Sequence, residues 1–172
     1  MLIARVSCLN NIYGTVDIMF ERIELLEWIL EIDFVKTYNF YNSCYLITDV
    51  CKCADCLNYA GACALIPEEI RGLYVSFGID PTKEGEVYNI ARNDDGTCLY
   101  GGFYHITGRI IEGPDCVVPV TAEDNLQIRT FNLLPVIEGY KIGFTQKVSL
   151  VPPGFPLPVI QMEFMFNIPW IL

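Results

Sequence analysis

A helical period of apolar positions follows the segment Ile66-Pro67-Glu68-Glu69. Apolar residues recur at positions 70, 73, 74 and 77, which is the spacing of one helix face. Proline fits the first helical position, the two acidic residues suit the positive end of the helix dipole, and Gly78 suits a left-handed C-terminal cap. The sequence therefore predicts a helix that ends at Gly78. The Ala-rich stretch 54–65 before it predicts a short helix or a helical turn.

The stretch from Asp17 to Asp33 also has a helical period. Its acidic residues recur every three or four positions and would share one stripe of a helix: Asp17, Glu21, Glu24, Glu27 and Glu31. This predicts an amphipathic helix whose stripe is either a docking surface for a basic protein partner or an ordinary solvated face. Ile, Phe and Trp are frequent here, so a pair of strands is the alternative for part of the segment.

The period changes to two from Glu86 onward. The runs 87–91 and 97–111 flank Asn93-Asp94-Asp95-Gly96, whose residue types suit a tight turn, so we predict a β-hairpin. The pair Gly101-Gly102 in the second strand predicts a bulge or a close approach of another backbone. Three more runs have the character of strands, at 126–131, 140–148 and 159–166.

The last two runs alternate apolar and polar residues. In run 140–148, Lys141, Thr145 and Lys147 predict a sheet with one face in water; in run 159–166, Gln161 and Glu163 are predicted to point away from the core. Helical patterns precede the strand patterns along the chain. We therefore predict an α+β fold, an antiparallel sheet of about five to seven strands with a few helices, mostly from the N-terminal half, packed on one face.

Length and composition favour one folded domain. The 172 residues predict a single domain, 1–172, in which an acidic segment (1–50) precedes the cysteine cluster and helix (51–80) and the antiparallel sheet (86–172). A hydrophobic content of 52% excludes disorder as the main state. The net charge is −10 and the basic residues are scattered, which argues against nucleic acid as a partner.

The chain shows no signal for secretion or membrane insertion. Residues 1–7 lack the basic and apolar regions of a signal peptide, so we expect a cytoplasmic protein. The apolar stretch 148–172 contains five prolines that would break a spanning helix, so no membrane anchor is expected. In a reducing compartment the eight cysteines indicate metal ligands or buried thiols rather than disulfides.

The cysteines concentrate in one short segment. Cys53 and Cys56 form a Cys-x-x-Cys step that can place two thiolates on one tetrahedral ion, and Cys51 and Cys63 are the nearest candidates for further ligands. These four residues are the predicted metal site, with zinc as the possible cofactor. The alternatives are buried free thiols and a redox pair, for which Cys53 would stand at the start of a helix.

His105 is the only histidine and thus the only side chain whose ordinary pKa suits general-base work near neutrality. Cys98 or Cys116 could partner it in a Cys/His-dependent enzyme, but the strand pattern predicts a structural His105 on the more polar face. The chain contains no glycine-rich phosphate loop, no Gly-x-Ser-x-Gly elbow and no His-Glu-x-x-His motif. No catalytic residue is therefore assigned.

Three segments together resemble a known group of proteins. They are Cys51-x-Cys53-x-x-Cys56-x-Asn58-Tyr59, the run 78–88, and Tyr100-Gly101-Gly102-Phe103-Tyr104-His105. They resemble an uncharacterised group of small bacterial proteins, chiefly from Firmicutes, over about residues 51–113. The resemblance implies a bacterial cytosolic origin and one structural unit that contains both the cysteines and the Tyr-Gly-Gly strand. It implies no activity, cofactor or site residue.

Three functions follow as hypotheses. The first is a non-enzymatic acidic module that binds a basic protein, in the manner of an immunity or adaptor protein, because a strong negative field speeds association with cationic partners. The second is a zinc-binding structural or sensor protein that uses the cysteine cluster. The third is a Cys/His-dependent enzyme.

Overall fold

The computed structural model describes residues 5–8, 20–83, 85–121 and 127–172. The strands are β1 (Arg5–Cys8), β2 (Glu21–Leu25), β3 (Trp28–Ile32), β4 (Glu86–Arg92), β5 (Thr97–Glu112), β6 (Val117–Thr121), β7 (Gln127–Phe131), β8 (Leu134–Ile137), β9 (Tyr140–Thr145) and β10 (Val159–Pro169). The helices are α1 (Phe34–Ser43), α2 (Ile47–Val50), α3 (Ala54–Ala62) and α4 (Glu68–Phe77), with a 3-10 turn at Cys63–Leu65. The predicted α+β class is confirmed, with the helices in the N-terminal half.

The main sheet is antiparallel and is organised around β5. Seven described strands run in the order β1-β2-β3-β5-β10-β9-β8, and β4 pairs with β5 off this path. β10 lies along one edge of β5, while β4 and then β3 share its other edge. The strands β6 and β7 form a separate two-stranded sheet.

The helices cover one face of this sheet with aromatic side chains. Tyr104 of β5 contacts Tyr41 of α1 and Tyr74 of α4, and Phe164 of β10 stacks against Tyr59 of α3. These rings are fully or almost fully buried. Aromatic pairs at such distances add to the free energy gained by burying their area, so this layer is the main core.

The other face is covered over part of its area. Lys141 and Lys147 are exposed as predicted, but the predicted outward exposure of Gln161 and Glu163 is wrong. The ring of His105 packs against Phe155, and its Nε2 lies 2.9 Å from the carbonyl oxygen of Ser149. Gln161 and Glu163 are 2% and 5% exposed. The prediction failed because the covering segment comes from the loop around 149–156, which lies far along the chain from β5. The alternation of apolar and polar residues within one strand does not reveal whether a distant loop covers its polar face.

The region 20–32 forms a hairpin, so the predicted amphipathic helix is wrong and the alternative of a strand pair is correct. β2 and β3 pair antiparallel, with Leu25 opposite Trp28. Ile23, Leu25, Trp28 and Leu30 alternate into the core. β-branched and aromatic residues favour a half-buried sheet, and here this preference outweighs the helical spacing of the acids.

Three local predictions are confirmed. α4 ends at Gly78, which has the left-handed φ of 73°, and β4 and β5 form the hairpin around Asn93–Gly96. A Cβ on Gly102 would lie 2.1 Å from the carbonyl oxygen of Glu86, so the predicted close approach is present at this glycine. The irregularity in the ladder falls between Asn89 and Ala91 instead. Among the described helices, none is long and apolar enough to cross a bilayer.

Candidate metal centre

Three cysteines lie together where α2 leads into α3. Cys51 follows the last residue of α2, Cys53 is the N-cap of α3, and Cys56 lies in its first turn. Their three sulfur atoms lie within 4.8 Å of one another. A tetrahedral ion with metal–sulfur bonds of about 2.3 Å would set the sulfurs roughly 3.8 Å apart, so a small adjustment brings them to ligating distance.

The helix that carries Cys53 and Cys56 is firmly attached to the sheet. Asn58 is fully buried; its Nδ2 donates to the carbonyl oxygen of Pro169 (3.1 Å) and its Oδ1 accepts from the backbone N–H of Ile171 (2.7 Å). The hydroxyl of Tyr100 donates to the carbonyl oxygen of Asp55 (3.0 Å). These partly buried hydrogen bonds fix the position of α3, and with it that of Cys53 and Cys56, relative to the sheet.

The thiols of Cys53 and Cys56 differ in acidity. The backbone N–H of Cys56 donates to Sγ of Cys53 at 3.4 Å, and this hydrogen bond, with those from the Cys51 and Cys56 thiols, lowers the pKa of Cys53. Burial and hydrogen bonds with the thiols of Cys53 and Cys51 raise the pKa of Cys56 to about 12. Cys53 is exposed, whereas Cys51 and Cys56 are half-buried. The expectation that Cys53 stands at a helix start is confirmed.

The structure does not bring Cys63 into the cluster, which corrects the predicted set of four. Cys53 caps the start of α3 and Cys63 caps its end, so the nine-residue helix, roughly 13 Å long, separates them. Cys63 is buried and its thiol donates to the carbonyl oxygen of Pro81. Burial raises its pKa to about 12. Cys63 is a buried structural thiol.

The remaining buried cysteines do not suit a Cys/His dyad. Cys98 and His105 lie an odd number of residues apart on β5, so their side chains leave opposite faces of the strand. Burial, with the nearby charge of Glu163, raises the pKa of Cys116 to about 12, which disfavours the nucleophilic thiolate. His105 is fully buried, and its ring contacts Phe103 and Phe155. This environment fits the structural role predicted for His105.

An apolar cavity beside the cluster was not foreseen from the sequence. It has a volume of about 670 Å³ and lies between the end of α1, α2, the start of β4 and Pro152-Pro153. Cys51 and Cys56 form part of its wall, together with Cys44, the C-cap of α1. Its walls come from segments that lie far apart in the chain, so no local sequence pattern predicts the cavity.

A second cavity, of about 160 Å³ and with several polar side chains in its wall, lies on the opposite side of the sheet, and sequence reasoning missed it too. Its wall includes Glu163, Gln161 and Lys147. Gln161 Nε2 donates to Glu163 Oε1 at 2.6 Å. Burial raises the pKa of Glu163 to about 7, although the hydrogen bond from Gln161 and the proximity of His105 act in the opposite direction.

The predicted acidic stripe is not a single stripe. Glu24 and Glu31 share the outward side of the β2–β3 hairpin with Arg22, which lies opposite Glu31 and 3.7 Å from Glu24. Glu27 lies in the turn of the hairpin, and Glu21 has the parity of the inward-facing residues. Asp17 lies outside the described residues. A role for these acids in binding a basic partner stays a prediction.

Comparison with known proteins adds no relative. The chain matches no protein-family model, no curated protein and no solved structure. The chemistry of the site therefore has to be argued from the site itself.

Proposed function

We propose that this protein binds one zinc ion through the thiolates of Cys51, Cys53 and Cys56. The observation that supports the proposal is the convergence of three sulfur atoms within 4.8 Å where α2 leads into α3. Soft thiolate ligands select zinc and copper(I) over magnesium or calcium. The acidity of Cys53 helps, because a metal ion binds the thiolate rather than the thiol.

The site suits reversible binding better than a purely structural role. A structural zinc site has four protein ligands, whereas the group found among the described residues has three. α3 is already held by Asn58 and Tyr100, and the aromatic core lies on the sheet. Zinc would therefore bind to a chain that is already folded and would stabilise the folded state only through its binding free energy, as in a sensor or metal-responsive protein.

Metal titration of the reduced protein tests the proposal. We expect about one equivalent of zinc, and a cobalt-loaded form with the visible bands of a tetrahedral thiolate site. Cys53→Ser and Cys56→Ser should each weaken zinc binding by about tenfold or more, because each removes a ligand. Cys63→Ala is the matched control and should retain full affinity, since its thiol contacts Pro81.

Two results would contradict the proposal. One is a zinc content below about 0.1 equivalent in protein kept reduced throughout purification. The other is an equal loss of affinity in Cys63→Ala and Cys53→Ser when circular dichroism shows that both variants are folded, because Cys63 would then matter as much as a proposed ligand.

A further inference from the structure

The metal site and the apolar cavity share a wall. Cys51 and Cys56 line the cavity, whose other lining residues include Phe40, Ile47, Val50, Val87, Pro152 and Pro153. A volume of about 670 Å³ lies within the range of small-molecule sites, roughly 300 to 1,000 Å³. A molecule in this cavity would therefore lie next to Cys51 and Cys56.

The surface around the cavity is apolar and open to a ligand. Tyr45 and Val50, which both line it, are 78% and 83% exposed. Apolar side chains exposed around a groove mark ligand-binding sites in many soluble proteins. A partly apolar molecule would cover them and gain free energy from the area that it buries.

The charge of the site selects the donor atom of such a molecule. Three thiolates around a zinc ion leave one net negative charge at the site. The chain as a whole carries a charge of −10. A carboxylate or phosphate donor would meet repulsion here, whereas a neutral nitrogen donor would not.

We propose that the cavity binds a small apolar molecule whose neutral nitrogen donor, such as an imidazole or pyridine nitrogen, completes the coordination of the metal ion held by the three cysteines. This inference rests on the proposed function, because the donor needs the metal ion. The cavity holds the apolar body, and the metal ion holds the head group. Zinc sites with three protein ligands commonly leave the fourth position to an exogenous ligand.

The test uses cobalt-loaded protein and three probes: 1-benzylimidazole, imidazole and phenylacetate. Imidazole has the donor without the apolar body, and phenylacetate has the body with an anionic donor. We expect 1-benzylimidazole to shift the visible cobalt bands and to bind about tenfold or more tightly than imidazole, because its phenyl ring is buried in the cavity. Phenylacetate should leave the bands unchanged at the same concentrations.

A pair of exposed valines provides the matched variants. Val50→Asp places a charge in the cavity wall, and Val75→Asp places one on α4, outside the residues that line the cavity. Val50 and Val75 are 83% and 63% exposed, so neither change disturbs the core. We expect Val50→Asp to lower the affinity for 1-benzylimidazole by about fivefold or more. Val75→Asp should leave this affinity within about twofold of the wild-type value.

Failure of this inference can be distinguished from failure of the metal site. If cobalt bands form but 1-benzylimidazole binds no more tightly than imidazole, or if Val50→Asp and Val75→Asp behave alike, the ligand proposal is overturned and the metal site stands. If no cobalt bands form, both proposals fail together.

Discussion

The phenol hydroxyl of Tyr41 takes the place of a strand partner for His105. It donates to the carbonyl oxygen of His105 (3.1 Å) and accepts from its N–H (3.2 Å). Two residues on, Thr37 Oγ1 accepts from the N–H of Thr107 (3.0 Å). These side chains of α1 occupy the gap that β4 and β3 leave along the edge of β5. The sheet is thus continued by a helix, and buried backbone groups stay paired.

Removing that hydroxyl should be costly. We expect Tyr41→Phe to lower the free energy of unfolding by about 1 to 3 kcal/mol, because it leaves the buried N–H and C=O of His105 without this partner. Denaturant unfolding measures the change. Tyr38→Phe is the control: it lies on the same helix, its ring is 49% exposed, and it should be nearly neutral. Equal effects in the two variants would contradict the role given to Tyr41.

Two glycines should respond in opposite ways to alanine. Gly72 lies in α4 and a Cβ there would meet nothing within 4 Å, so Gly72→Ala should stabilise the protein by about 0.5 to 1 kcal/mol. A Cβ on Gly102 would meet the Glu86 carbonyl oxygen and the ring of Phe164, and Gly102→Ala should cost about 3 kcal/mol. Thermal unfolding compares them. A stable Gly102→Ala would refute the close approach between β4 and β5.

The cysteines should be alkylated in a definite order. In metal-free protein at pH 7, iodoacetamide should modify Cys53 first, because it is exposed and its pKa is lowered by the N–H of Cys56. Cys63 and Cys116 should react last, because burial raises the pKa of each to about 12. Mass spectrometry of digests gives the rates, and zinc should protect Cys53. Equal rates at Cys53 and Cys63 would contradict the site.

The buried Glu163 should make stability depend on pH. Burial raises its pKa from 4.5 to about 7, so between these values the unfolded chain ionises this group and the folded chain does not. The stability that the raised pKa provides is complete below about pH 4.5 and is lost as the pH rises to about 7. We expect Glu163→Gln to match the wild type near pH 4.5 and to exceed it above pH 7, by up to about 3 kcal/mol.

Unfolding measured from pH 4.5 to 8 tests this behaviour. Groups near Glu163 include Glu86, which raises its pKa, and His105, which lowers it. The same substitution at the exposed Glu112 is the control. A difference between Glu163→Gln and the wild type that stays constant with pH would show that Glu163 does not titrate in this range.

Elements defined by local signals could be predicted from the sequence. α4 was readable because a proline, two acids and a glycine mark its ends, and the β4–β5 hairpin was readable because its turn residues stand between alternating runs. α1 was not predicted, although Asp33 caps it by accepting from the N–H of Lys36. In the sequence, Asp33 follows the regularly spaced acidic residues of the preceding segment. It was therefore interpreted as one of that series and not as a helix N-cap.

The candidate site was predictable only in part, for a geometric reason. Cys51, Cys53 and Cys56 span six residues, so one turn and the start of one helix bring them together. Cys63 is close in sequence but lies at the far end of α3. The two cavities and the buried Glu163 depend on loops that return from distant parts of the chain, and sequence spacing carries no information about such contacts.

The hydrogen bonds of Asn58 connect the residues around Ile171 to α3, whose start carries Cys53 and Cys56. Asn58 joins α3 to the backbone at Pro169 and Ile171, and the guanidinium of Arg92 lies 3.9 Å from the ring centre of Trp170. Loss of the backbone N–H of Ile171, as in Ile171→Pro, would therefore loosen the helix that carries Cys53 and Cys56. The affinity of the cysteine cluster for a metal ion should thus fall when this distant attachment of α3 is lost, although Ile171 is not a ligand.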